Sequence, residues 1–429
     1  MSNAYAKVLR LPGAWQFVAA AAVARLPLSM DGLAVVLLIS TLSDSYARAG
    51  IVVAAFGVTG AVGSVLIARA ADRFGQARLL IPSSAVHALA LVTLVVIVEL
   101  DLPLALQILT AGIAGITGPP IGSFARARWV KVSPDDSALR SGFAVESILD
   151  EVIFTVGPLL TAWLAFTFAL PLPIFVAAAL VVSGSIVLSL QRTTQPDVVA
   201  VAHRVAHRSA LRSPGLVIVV MSALGLGCLF GSFEVTTVAF TRLAGHSGSA
   251  GLVLGIFALA SLIGGVAYGS RHWSGSLPRQ AAILLTIFAL ACAALPWVRS
   301  IPALTVATVI AGLLVAPALI TIFALTERLV PAQQITEGLS WSLAGLALGF
   351  AFGSWLGGTV VDSVGTSAAY GVAAIATAWS LVWILAGTPA MTTALAHRPA
   401  SGRVPPAIPA LSDPVPGPAP APAPFDEGP

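Results

Sequence analysis

The sequence predicts an all-α integral membrane protein in which twelve transmembrane helices form two similar halves of six. Three observations support this prediction: the composition, the regular recurrence of long apolar runs, and an internal repeat. Of the 429 residues, 57% are hydrophobic and only 9% are charged, whereas about a quarter of the residues in a soluble domain are charged. This composition excludes a large soluble protein.

The apolar runs have the length that a membrane-spanning helix requires. A helix that crosses a hydrocarbon layer of about 30 Å needs roughly 20 mainly apolar residues, and the runs lack the alternation of a membrane barrel. Span 1 is retained as a helix, not a cleaved signal, because Arg25 and Asp31 interrupt it. Spans 1 to 12 are predicted at residues 14–40, 47–69, 79–100, 103–125, 142–168, 171–190, 215–240, 250–270, 280–298, 302–325, 338–361 and 367–387.

The basic residues predict the orientation. If the spans alternate in direction, eighteen of the 22 Lys and Arg residues lie on the side of the amino terminus. Basic residues are retained in the cytoplasm, so we expect a bacterial cytoplasmic membrane with both termini on the inner side. The net charge of +4 then reflects topology, and no nucleic-acid partner is expected. Trp129, near the end of span 4, is expected at the membrane surface.

The chain divides into four parts. Residues 1–190 form an amino-terminal half and residues 214–390 a carboxy-terminal half. The basic linker at 191–213 is either a helix on the anionic leaflet or a solvated connection. The Pro/Ala-rich tail at 391–429 is predicted to be disordered and cytoplasmic.

The two halves contain similar sequences. The stretch "AGIVVAAFGVTGAVGS" (49–64) aligns without gaps with "AGLVLGIFALASLIGG" (250–265). Span 5 aligns with span 11 at a second constant offset, which matches Gly142, Phe154 and Gly157 with Gly338, Phe350 and Gly353. Parallel six-helix repeats are typical of transporters.

A charged loop follows span 2. It reads "ARAADRFGQAR" (68–78) and resembles the motif Gly-x-x-x-Asp-Arg-x-Gly-Arg-Arg/Lys of the major facilitator superfamily. The matching residues are Asp72, Arg73, Gly75 and Arg78. The sequence departs from the motif at Ala68, which replaces the first glycine, and at Gln76 and Ala77, where paired basic residues are usual. The resemblance implies the twelve-helix fold of this superfamily and transport by alternating access.

The same resemblance implies a cytoplasmic gate and allows two further family signatures to be compared, in spans 4 and 5. In the family, the motif's aspartate contacts the amino-terminal end of span 11 when the cytoplasmic side is closed, which implies that Asp72 is part of a cytoplasmic gate. Gly157-Pro158 in span 5 resembles part of an antiporter motif, although Ile153, Thr161 and Ala162 replace its other glycines. Span 4 as predicted lacks the arginine that the family uses in proton coupling.

Ionisable residues inside the spans are candidates for coupling, because a charge near the bilayer centre costs at least about 2.5 to 3.5 kcal/mol. They are Arg25, Asp31, Glu146, Asp150, Glu151 and Glu234. Arg25 and Asp150 are each about 15 Å from the start of their helices, so a contact between them is predicted, either as a structural ion pair or as a moving one. His87 in span 3 is expected to be a packed neutral ring.

Asp31 and Glu234 lie at similar depths of the repeat-related spans 1 and 7, which line the central cavity in the superfamily. The resemblance therefore implies two carboxyl groups that face one space, and a buried carboxyl group binds a proton more readily. Apolar walls with few polar groups, such as Gln107, Thr110 and Trp341, favour a modestly apolar small-molecule substrate.

These observations predict a secondary transporter that acts as a monomer in the lipid bilayer and exports a small solute in exchange for protons. Proton-coupled uptake or facilitated diffusion is the alternative. A receptor or scaffold is a third class of function, which the internal repeat disfavours because such a protein does not need two similar halves. An enzyme is not expected, because no catalytic constellation is found. Cys228 and Cys292 lack CxxC spacing, so neither a metal nor a cofactor is expected.

Overall fold

The computed structural model describes residues 2–196, 213–271, 273, 275–331 and 334–396. A short helix, Ser2–Leu9, precedes the spans, and 3-10 turns lie at Arg192–Thr194 and Leu295–Trp297. Spans 1 and 4 are each built from two helices. In order, the spans are Ala14–Arg25 with Pro27–Ser43, Tyr46–Phe74, Gln76–Glu99, Leu104–Thr117 with Ile121–Val132, Asp136–Thr167, Leu172–Leu190, Pro214–Leu243, Ser249–Gly269, Leu277–Ala293, Ile301–Leu329, Ile335–Ser363 and Thr366–Ala396.

Twelve helical segments of the described chain are long and apolar enough to cross a membrane, as predicted. Most are longer than predicted, because polar residues at the helix ends fall outside an apolar window. Span 1 is interrupted at Leu26 because Pro27 has no N–H to donate. Span 4 breaks at Gly118 and two prolines and then continues to Val132, so its second helix contains arginines that the sequence analysis assigned to a loop.

The two halves meet mainly through two repeat-related pairs of spans. Span 2 packs on span 11, and span 5 packs on span 8. We call the end of the bundle that holds Phe74 and Ile335 the basic end, and the end that holds Tyr46 and Ser363 the opposite end. Both pairs touch near the opposite end, where Gly50 lies against the backbone of Ser354 and Gly251 against that of Pro158.

These glycine contacts confirm the internal repeat. Gly50 aligns with Gly251, and Ser354 aligns with Pro158 at the offset of spans 5 and 11, so the two contacts are the same contact made twice. Within the halves, Gly63 of span 2 lies against Ile116 of span 4, and its counterpart Gly264 lies against Leu313 of span 10. A side chain at any of these glycines would meet backbone atoms.

The predicted division of the chain is covered only in part. Most of the linker, residues 197–212, and the tail from residue 397 lie outside the described residues. Span 12 continues as a helix to Ala396, beyond the predicted boundary at 390, because the alanines and threonines after Pro389 extend the helix.

Candidate functional site

Arg25 lies at the centre of a buried ion network between spans 1 and 5. Its guanidinium donates from Nη1 to Asp150 Oδ1 at 2.6 Å and from Nη2 to Glu146 Oε2 at 2.5 Å. The side chains of Arg25 and Glu146 are 3% and 0% exposed. The contact predicted from the matched depths of Arg25 and Asp150 is therefore present, and Glu146 shares it.

The second helix of span 4 completes this network. Arg126 Nη2 donates to Asp150 Oδ2 at 2.7 Å, and Trp129 Nε1 donates to Glu146 Oε1 at 2.9 Å. Trp129 is fully buried, so its predicted place at the membrane surface is wrong. Two guanidinium groups thus balance two carboxylates, and each carboxylate oxygen accepts a hydrogen bond, which compensates for the loss of hydration.

Arg128 forms a second buried polar centre nearby, at the basic end. Its Nε donates to Gln76 Oε1 at 3.0 Å, and its Nη2 donates to the carbonyl oxygen of Leu188 at 2.9 Å. Its Nη1 donates to the carbonyl oxygen of Gln191 and to the hydroxyl group of Thr194. Because span 6 ends at Leu190, Arg128 satisfies carbonyl groups at the negative end of that helix.

The loop that resembles the superfamily motif makes a tight turn at Gly75, whose φ of 89° favours glycine. Asp72 is exposed, and no hydrogen bond or ion pair joins it to another residue that the structure describes. The guanidinium of Arg73 lies 5.2 Å from the centroid of the Phe74 ring, and Arg78 is exposed. In this conformation, Asp72 does not hold the two halves together.

The departures from the motif have a structural explanation. Gln76 is buried and donates from Nε2 to the carbonyl oxygen of Phe124 in span 4, while its Oε1 accepts from Arg128. The backbone N–H of Ala77 donates to Gln195 Oε1 at 3.1 Å. Arg128 therefore supplies, from span 4, a buried guanidinium beside the positions at which the motif has basic residues.

Asp31 lies beside His87 of span 3. Asp31 Oδ2 is 3.4 Å from His87 Nε2, and the two side chains are 3% and 5% exposed. His87 Nδ1 is 2.7 Å from the carbonyl oxygen of Ala114 in span 4. Because a carbonyl oxygen only accepts, Nδ1 carries a proton, and Nε2 carries one only when the ring is an imidazolium.

Glu234 lies at the contact between the two halves. Its Oε1 is buried without a hydrogen-bond partner among the described residues, and it is 3.4 Å from where a Cβ would stand at Gly32. Asp31 Oδ1 is also buried and unpartnered. Span 7 thus presents a carboxyl group to span 1 at Gly32, whereas the side chain of the preceding residue, Asp31, turns towards His87. Glu151 is partly buried on span 5, apart from the bonds of the Arg25 network.

Gly157 and Pro158 bring span 5 close to its neighbours. Ser29 of span 1 occupies the space that a side chain at Gly157 would need, and its hydroxyl group donates to the carbonyl oxygen of Ile153 at 2.9 Å. The backbone of Pro158 lies against Gly251 of span 8. These two residues therefore have a packing role in the described conformation.

An apolar groove of about 310 Å³ lies between spans 2 and 11, and Trp355 contributes to its lining together with Ile51, Ala54, Val58, Leu348, Ala351 and Phe352. Gln107 and Thr110 are instead buried within the amino-terminal half. Among the residues that the structure describes, no group of three or more His, Cys, Asp or Glu is placed to hold a metal ion.

Residues 17–298 match the family model described as Major Facilitator Superfamily, which is more than half of the chain. The chain belongs to the major facilitator superfamily. No curated protein sequence matches it significantly. A mutant of the nucleoside transporter NupG has a similar solved structure, with a TM-score of 0.70, 16% identity, and coverage of 88% of this chain and 99% of that chain.

A second similar structure is that of a POT family transporter in complex with 5-aminolevulinic acid. It has a TM-score of 0.66 and 14% identity, and the alignment covers 89% of this chain and 97% of that chain. At these identities the likeness shows the fold alone. Membership of the superfamily identifies the chain as a membrane transporter and not an enzyme.

Three residues of this superfamily member were missed as site residues by sequence reasoning. His87 was expected to be a packed neutral ring. Arg126 was assigned to the loop after span 4, and Trp129 was assigned to the membrane surface. One signal could have found Arg126. The sequence from Ile121 to Val132 mixes apolar and basic residues and contains no acidic residue, a pattern that is compatible with an amphipathic helix that extends span 4. The partner of His87 depends on the rotation of three helices about their axes, which hydropathy does not report.

Proposed function

We propose that this superfamily member is a proton-coupled transporter that exports a small, modestly apolar solute. The observation that carries the proposal is that Asp31 faces His87 of span 3 while Glu234 of span 7 approaches span 1 at the neighbouring Gly32. Asp31 and Glu234 each have an oxygen without a partner. An uncompensated carboxylate is costly inside a membrane, so we propose these two groups as the carriers of the coupled proton.

His87 extends this proton site. With Nδ1 donating to Ala114, a single proton on the Asp31–His87 pair lies either on Asp31 Oδ2 or on His87 Nε2. Transfer between these atoms needs little movement of heavy atoms, because they are 3.4 Å apart. A solute or a rearranged wall that alters the local field would release or capture that proton.

The Arg25 network has a different role in the proposal. Because each of its carboxylate oxygens already accepts a hydrogen bond, we assign it as the structural anchor of spans 1, 4 and 5. Asp150 is 28% exposed, so water can reach it. We therefore keep the ion pair between Arg25 and Asp150, with Glu151 beside it, as the second candidate site for proton coupling.

The direction of transport rests on two inferences. The arginine distribution favours a cytoplasmic basic end, and Gly157-Pro158 resembles an antiporter motif, which together favour export. The similar solved structures are of a nucleoside transporter and of a POT family transporter in complex with 5-aminolevulinic acid, and both names favour a more polar solute. Proton-coupled uptake or facilitated diffusion of such a solute is the alternative. The apolar groove between spans 2 and 11 favours a modestly apolar solute.

Proton movement in proteoliposomes tests the proposal. Vesicles that contain a pH-sensitive dye would receive chloramphenicol as a modestly apolar probe, and uridine or dialanine as polar probes. We expect one class of probe to change the luminal pH, in a direction opposite to solute movement for export. Solute movement without any pH change would contradict coupling, and a parallel proton flux would indicate uptake.

A further inference from the structure

Asp362 lies in the last turn of span 11 and caps the amino terminus of span 2. Its Oδ1 accepts from the backbone N–H of Tyr46 at 3.0 Å, and its Oδ2 accepts from the backbone N–H of Ala47 at 2.8 Å. The hydroxyl group of Ser45 also donates to Oδ2, at 2.9 Å. These three hydrogen bonds cross from one half of the transporter to the other.

The geometry around Asp362 suits a reversible contact. The first N–H groups of a helix have no partner inside it, and the same end of the helix attracts negative charge. Gly358 lets the backbone of span 11 approach that of Tyr46 closely. Asp362 is nevertheless exposed to solvent, so it can be rehydrated when the two halves separate.

Spans 2 and 11 are related reciprocally. Span 2 ends at Phe74 with Asp72 in its last turn, and span 11 ends at Ser363 with Asp362 in its last turn. Because the two helices run in opposite directions, each aspartate lies at the end of the bundle where the other helix begins. In the described conformation, Asp362 is bonded to span 2 and Asp72 is exposed.

The second contact between the halves is chemically different. In the repeat, Ala47 of span 2 corresponds to Gly248 at the start of span 8, and Asp362 of span 11 corresponds to Phe166 of span 5. The Phe166 ring lies 3.9 Å from the position that a Cβ would take at Gly248. An apolar contact therefore occupies the place that the charged cap occupies between spans 2 and 11. Only one of the two repeat-related contacts is a charged helix cap.

We propose that Asp362 is the latch that holds the opposite end closed, and that Asp362 and Asp72 take turns as caps between spans 2 and 11. When the opposite end opens, Asp362 leaves span 2, and Asp72 reaches the start of span 11 near Ile335. The two aspartates then set the balance between the two conformations of the cycle. This inference rests on alternating access in the superfamily and is independent of proton coupling.

Distances between spin labels test the latch in the full chain in lipid nanodiscs. The two buried cysteines, Cys228 and Cys292, would be replaced by Ala. Labels at the exposed positions Leu100 and Leu243 report the opposite end, and labels at Val130 and Ser276 report the basic end. No solute is needed, because the readout is the ratio of open to closed populations at each end.

For Asp362→Asn we expect the ratio to shift about fivefold towards the state open at the opposite end, since loss of the charge weakens an exposed cap by roughly 1 kcal/mol. Asp72→Asn should shift the ratio the other way, and the double variant should return towards wild type. Phe166→Leu is the matched control at the apolar contact and should shift it less.

Unchanged populations in Asp362→Asn would overturn the proposal, as would an equal shift in Phe166→Leu. If Asp362→Asn does not fold, Ser45→Ala replaces it, because this variant removes the hydroxyl group that donates to Asp362 Oδ2 and should also favour the state open at the opposite end. Asp72→Asn should then shift the populations the other way. A shift of both variants in the same direction would contradict the exchange of caps. Proton flux in proteoliposomes is a separate readout, so failure of the latch and failure of coupling are distinguishable.

Discussion

The interface between spans 1 and 5 and its repeat-related counterpart between spans 7 and 11 are built from different chemistry. In the amino-terminal half, Arg25 joins Glu146 and Asp150 across the interface. When Gly142 is aligned with Gly338, these acids correspond to Ser342 and Leu346. The same position in the fold is thus stabilised by ions in one half and by neutral groups in the other.

Glycines stabilise the interface in the carboxy-terminal half. Gly349 lies against the backbone of Leu224, Gly353 against that of Cys228, and Gly227 against that of Leu346. Small residues allow helix backbones to approach closely in a membrane, where packing drives association. We propose that the carboxy-terminal half moves as a rigid unit and that the amino-terminal half contains most of the buried groups proposed to exchange protons.

Removing Arg25 should have the largest effect on this comparison. Arg25→Gln leaves Glu146 as a buried carboxylate without a cation, and loss of one partner of a buried ion pair costs about 3–5 kcal/mol. We expect this loss in the free energy of unfolding in mixed micelles. Adding Glu146→Gln should recover at least half of it, because Asp150 keeps Arg126 and the new amide still accepts from Trp129. No recovery would mean that the network does not stabilise through charge.

A smaller loss is expected from Gly353→Ala in the carboxy-terminal half. The added Cβ would meet the backbone of Cys228, and overpacking of this kind costs about 1–3 kcal/mol. Gly371→Ala is the matched control, since nothing lies within 4 Å of a Cβ at that position of span 12. Thermal unfolding in detergent would measure both. If the rigid-unit interpretation is right, Gly353→Ala leaves the pH dependence of transport unchanged, and an altered pH profile would contradict it.

Much of the fold could be predicted because hydropathy and repetition are local properties of the chain. The twelve spans and the glycines shared by spans 2 and 8 were read directly from the sequence. The contact between Arg25 and Asp150 followed from depth alone, since a helix fixes about 1.5 Å per residue along its axis. The ends of the spans were underestimated because Arg126 and Arg128 appear too polar for a membrane helix until their partners are known.

Other features depend on which faces of the helices meet. His87 and Asp31 lie on different spans at depths that many residues share, and only the rotation of each helix places them together. Asp362 belongs to no motif, and its partners are backbone N–H groups, which leave no trace in the amino-acid sequence. The role of Asp72, in contrast, was suggested by resemblance, and its exposure in this conformation required the structure.

We propose that a transferable proton resides where span 1 meets span 3 and span 7. The most direct test of this claim compares solute exchange with pH-driven accumulation in proteoliposomes for Asp31→Asn, His87→Asn and Glu234→Gln. In His87→Asn, the new amide retains a donor for Ala114 but does not titrate near neutral pH. Asp101→Asn, at a carboxylate that is 83% exposed, is the control.

We expect each of the three variants to retain solute exchange and to lose pH-driven accumulation, with the largest loss, about tenfold or more, for Asp31→Asn. The control should retain both activities. Persistence of pH-driven accumulation in all three variants and in the Asp31→Asn, Glu234→Gln double variant would contradict the claim and would move the search for the coupling residues to Asp150 and Glu151.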